Sequence, residues 1–98
     1  MMSRFRERER DADTVLGKLS PDDYKLYQTA STLVGQVSTD AVLRTLATRL
    51  GDADVRYTLW RLFRVEQRAQ QEKAGTTKAP ADVSRAIALS SLVQALEA

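Results

Sequence analysis

Between Asp54 and Lys73 the chain reads DVRYTLWRLFRVEQRAQQEK, a long helical pattern with two unlike faces that any fold must satisfy. At about 100° per residue, Val55, Leu59, Leu62, Phe63 and Ala69 fall on one side. Tyr57, Arg61, Arg64 and Arg68 fall on roughly the opposite side, and Trp60 sits at the boundary. The first face calls for a core. The second calls for water or a polyanion.

The flanking segments read as three further helices. Ser20-Pro21-Asp22-Asp23 is a helix start: serine caps, proline fits the first helical position, and acids suit the positive end of the dipole. Leu26, Ala30, Leu33 and Val37, joined by Tyr27 and Val34, carry this helix to about Val37, with Gly35 weakening its last turn. Ser38-Thr39-Asp40 opens the next helix. Its apolar side is Ala41, Val42, Leu43, Leu46, Ala47 and Leu50, and Gly51 is expected to end it in the left-handed conformation. Asp52 or Asp54 then caps the long helix, which is expected to fray near Ala74-Gly75.

The stretch GTTKAPA is a loop by composition, and a fourth helix runs from near Pro80-Ala81 to the chain end. Leu89, Leu92, Val93 and Leu96 form its stripe, with Ala86 beside them, while Val83 and Ile87 lie well round the wheel. Asp82, Arg85 and Glu97 are its only charges. So apolar a helix calls for burial on two sides: a central position, or a contact with another chain. Val83 and Ile87 are therefore the candidate partner or self-association surface.

The fold class expected is all-α, a small four-helix bundle-like domain over residues 14–98. A charged, partly flexible arm precedes it over residues 1–13, where SRFRERERDAD alternates arginine with acid. Phe5, Ala12, Leu16 and Leu19 make only a weak stripe, and a short helical turn is expected around Thr14 to Leu19. At 98 residues this is one domain, with room for a modest core. No apolar run approaches the ~20 residues of a membrane span. The charged start has no secretory h-region, so a cytoplasmic protein is the expectation.

Composition removes much chemistry. There is no cysteine and no histidine, so thiol chemistry, Cys/His zinc sites and imidazole acid–base catalysis are excluded. Asp22, Asp23, Asp40, Asp52, Asp54 and Asp82 all fall in helix caps or first turns, where structure accounts for them. The four glycines are scattered at helix ends and form no phosphate loop. Glu66 stands alone near the centre of the apolar face of the long helix. Either that helix has run past the core there, or an arginine pairs with Glu66. No cofactor, no metal and no enzymatic activity are expected.

The positive lead is arginine, eleven against four lysines in a chain of net charge +2. Arg61, Arg64 and Arg68 recur at i, i+3 and i+7, which sets their heads in a row along about 10 Å of one side. Tyr57 lies one turn before Arg61, and Arg56 lies nearer Trp60. Guanidinium groups beside an aromatic ring suit a phosphate backbone or an acidic protein surface.

Leu46-Ala47-Thr48-Arg49-Leu50-Gly51, followed by Val55 to Leu62, resembles helix-turn-helix DNA-binding sequences, in which an alanine precedes a turn glycine by four residues. That resemblance implies a recognition helix with Arg56, Thr58 and Arg61 toward the major groove. The sequence departs from the pattern in its short turn, Asp52-Ala53-Asp54, which carries two acids.

The function expected is a non-enzymatic helical subunit or accessory protein. It would dock into a larger assembly and contact nucleic-acid phosphates through Arg56, Tyr57, Arg61, Arg64 and Arg68. The alternatives are a helix-turn-helix regulator, and an adaptor or inhibitor that binds an acidic partner surface.

Overall fold

Ser20 does what its position promised: its hydroxyl accepts from the amide of Asp23 at 3.1 Å, and Pro21 opens the helix behind it. The computed structural model describes residues 4–11 and 19–98. Among these residues there are five helices: α1 (Arg4–Asp11), α2 (Pro21–Leu33), α3 (Thr39–Leu50), α4 (Ala53–Thr77) and α5 (Pro80–Glu97). The protein is all-α. The end of the expected arm and most of the turn expected around Thr14 to Leu19 lie outside the described residues. The part of the arm that is described is helix α1.

Three boundaries differ from the sequence reading. α2 stops at Leu33 instead of Val37, because Gly35 turns the chain at φ +86°, a conformation that costs glycine little. The amide of Val37 closes this corner on the carbonyl of Leu33 at 3.1 Å. Gly51 ends α3 at φ −72°, right-handed and not left-handed. α4 runs through Gly75 to Thr77, and Lys78 takes the left-handed position at φ 55°. The expected fraying at Ala74-Gly75 does not occur, since the Lys78 amide still reaches the carbonyl of Ala74 at 2.9 Å.

α4 is the helix the others surround; it touches all four. Trp60 and Phe63 are fully buried there, with Leu59 beside them. α5 lies along α4 and contributes Leu89, Leu92, Val93 and Leu96. α3 adds Val42 and Leu46, and α2 adds Tyr27 and Ala30. Each large side chain so buried contributes about 1.5–3 kcal/mol before conformational entropy is counted. Asp23 at the start of α2 is bound by Arg49 of α3 at 2.8 Å and 3.3 Å. Those bonds hold the Asp23 carboxyl below its ordinary value.

α5 is therefore not the central helix. Its inward stripe is buried as expected, but Val83 is 41% exposed and Ile87 is 65% exposed. Among the described residues, no helix is long and apolar enough to cross a membrane.

Candidate nucleic-acid interface

The arginines of α4 are used in different ways. Arg56, in the second turn, crosses to the end of α5. It donates to the carbonyls of Leu96 and Ala98, each at 2.8 Å, and to that of Ala95 at 3.4 Å. Helix ends leave such carbonyls without partners, and α5 has no basic residue in its own last turn. Arg56 is thus a cap. Tyr57 is buried at 5% exposure, and its hydroxyl has no hydrogen-bond partner among the described residues. Arg61 and Arg64 are half-buried, and Arg68 is exposed. Of the five sequence candidates, Arg68 is exposed, Arg61 and Arg64 are half-buried beside aromatic rings, and Arg56 and Tyr57 are engaged in the fold.

The residues the sequence reading missed belong to α1. Phe5 packs on α4 with its ring centroid 5.5 Å from both Tyr57 and Trp60. Tyr57 and Trp60 themselves lie nearly parallel, 5.9 Å apart at 24°. Around these three rings four guanidinium groups gather. Arg8 lies 4.0 Å over Tyr57 and bonds Asp54 at 3.2 Å. Arg61 stands 5.9 Å from the same ring, and Arg64 stands 5.3 Å from Trp60. Arg6 bonds Glu97 at 3.0 Å, and the same carboxylate oxygen accepts from the indole of Trp60 at 3.1 Å. The ring faces attract Arg8, Arg61 and Arg64, and burial of the rings strengthens that attraction. The available signal was Phe5, the one apolar residue in the charge run of residues 4–11.

No family model matches the chain, and no curated protein or solved structure is significantly similar to it.

Glu66 is settled on the arginine side of its two alternatives. It accepts from Tyr27, from Ser31 at 2.9 Å and 3.1 Å, and from Arg85 at 3.4 Å. Arg85 also donates to the carbonyls of Ser31 and Val34, both at 3.1 Å, and so closes the end of α2. Burial, then the hydrogen bond to Glu66, pushes the Tyr27 hydroxyl well above its ordinary value. These groups satisfy one another, which makes the cluster a structural joint between α2, α4 and α5. Among the described residues, no group of three acids stands close enough to hold a metal ion.

The helix-turn-helix resemblance fares poorly at its reading face. Arg56 is spent on α5, and Thr58 is 7% exposed with its hydroxyl donating to the carbonyl of Asp54 at 2.9 Å. Arg49 is bound to Asp23. Two of the three side chains named for the groove, Arg56 and Thr58, are thus turned into the fold.

Proposed function

We propose that this chain is a non-enzymatic helical subunit that contacts nucleic-acid phosphates where α1 crosses α4. The observation that carries the reading is the gathering of Arg6, Arg8, Arg61 and Arg64 around Phe5, Tyr57 and Trp60, with Arg68 exposed further along α4. Guanidinium groups held by rings are pre-positioned, so little rotamer freedom is lost when a phosphate arrives. The outer face of α5, with Val83 and Ile87 exposed, supports docking into a larger assembly. A cytoplasmic setting fits this reading.

The test is fluorescence anisotropy with labelled single-stranded and duplex oligonucleotides across a salt series. Binding should weaken linearly in log–log form as salt rises. Arg64→Gln with Arg68→Gln should weaken every sequence alike and flatten that slope by about two, one for each lost phosphate contact. Binding with an unchanged slope would remove Arg64 and Arg68 as the contact. Absence of binding at low salt would end the nucleic-acid reading and leave an acidic protein surface as the partner.

A further inference from the structure

α1 is a poor helix on its own terms. It has eight residues, RFRERERD, and its one apolar side chain is Phe5. Isolated helices this short are marginal in water. Among the described residues, Phe5, the Arg8 contact with the Tyr57 ring and two ion pairs hold it in place, and the arginines of those pairs are 46% and 49% exposed. Such pairs contribute little and are screened by salt. α1 therefore belongs among the segments of a fold that open most readily.

What α1 covers is an aromatic step. Tyr57 and Trp60, three residues apart on α4, present nearly parallel rings, and Phe5 lies across both. The fit is incomplete at one atom. Among the described residues, the buried Tyr57 hydroxyl has no hydrogen-bond partner, and a phenyl ring could not supply one. A nucleobase is a flat ring of comparable size whose edge carries acceptors and donors.

We infer that α1 is a displaceable cover, and that the site beneath it takes an unpaired base of single-stranded nucleic acid. This rests on the phosphate contact proposed above and adds the type of strand and the control of access. The base takes the place of Phe5 on Tyr57 and Trp60, and its edge meets the Tyr57 hydroxyl. Arg61 and Arg64 stand beside those rings, where the flanking phosphates would run. A duplex keeps its bases stacked and offers no such ring, whereas a single strand does. Phosphates also compete with Asp54 and Glu97 for Arg8 and Arg6, so the strand itself loosens the cover.

The experiment compares the full chain with its Phe5→Ala variant, using labelled oligothymidylate and a labelled duplex of equal length. Trp60 is the only tryptophan, so acrylamide quenching of its fluorescence reports the cover directly. In Phe5→Ala, free Trp60 should become more quenchable, and oligothymidylate should restore its protection. Apparent affinity for oligothymidylate should rise about tenfold, since a larger fraction of the protein is already open. Duplex affinity should stay where it was. Arg8→Gln, which removes the Asp54 pair and the cation over Tyr57 but leaves Phe5 in place, should increase Trp60 quenching in the same direction. Unchanged quenching in both variants overturns the inference. So does a rise in duplex affinity equal to that for the single strand, and in either case the phosphate contact still stands. If neither probe binds either protein at low salt, both the contact and the cover are refuted.

Discussion

Two arginines show how far a side chain's role depends on what lies opposite it. Arg56 and Arg85 close the carbonyl ends of α5 and α2, helices that have no basic residue in their own last turns. Cations are favourable at that end of a helix, and here they arrive from another helix. Arg85 has the second task of neutralising Glu66. Arg85→Ala should therefore destabilise the protein by about 2 kcal/mol, measured by urea unfolding. That lies below the cost of breaking a fully buried pair, because the two side chains keep 33% and 27% exposure. Glu66→Gln should cost less than half as much, since an amide still bonds Tyr27 and Ser31 while Arg85 keeps its carbonyls.

At the scale of elements, the two sharp corners use opposite residue choices for the same backbone need. Gly35 sits at φ +86° and Lys78 at φ 55°. A Cβ at Gly35 would meet the Cα of Arg85 at 3.7 Å, ordinary contact, so the obstacle to a side chain is conformational. Gly35→Ala should cost about 1–2 kcal/mol. Lys78→Gly should do the reverse and raise stability by up to about 1 kcal/mol, the strain relieved being partly offset by a freer unfolded chain. Thermal unfolding of the pair of variants checks both signs. The corner after α2 also shows why the first long helix was read too far. Val34 and Val37 keep helical spacing in the sequence, and Val34 is buried, yet Val37 is 41% exposed beyond the turn. Periodicity registers apolar positions; it does not register a change of backbone direction between them.

For the whole molecule, the decisive arrangement is that α4 is surrounded and α5 is not. Trp60, at the boundary of the two faces on a helical wheel, becomes fully buried because α1 and α5 meet over it. Ile87, which an apolar helix was expected to bury on a second side, stays 65% exposed. Ile87→Ser should accordingly leave the unfolding free energy within about 0.5 kcal/mol of the parent. Any concentration-dependent association seen by light scattering should be lost with it. A large loss of stability instead would place Ile87 in the core.

Local chemistry was legible in the sequence alone. The all-α class, the caps at Ser20, Ser38 and Asp52, Pro21 and Pro80 at helix starts, and the core stripes of α3 and α5 all follow from side-chain spacing and from which groups can satisfy a helix end. Only the tertiary structure decided how the arginines are used. Spacing along α4 puts Arg56 and Tyr57 beside Arg61, Arg64 and Arg68, but it contains no record of α5 ending against Arg56 or of Phe5 settling on Tyr57. Those contacts join residues about 40 and 50 positions apart. They arise because α1 and α5 need the same aromatic surface of α4 to leave water, a need that no single stretch of sequence displays.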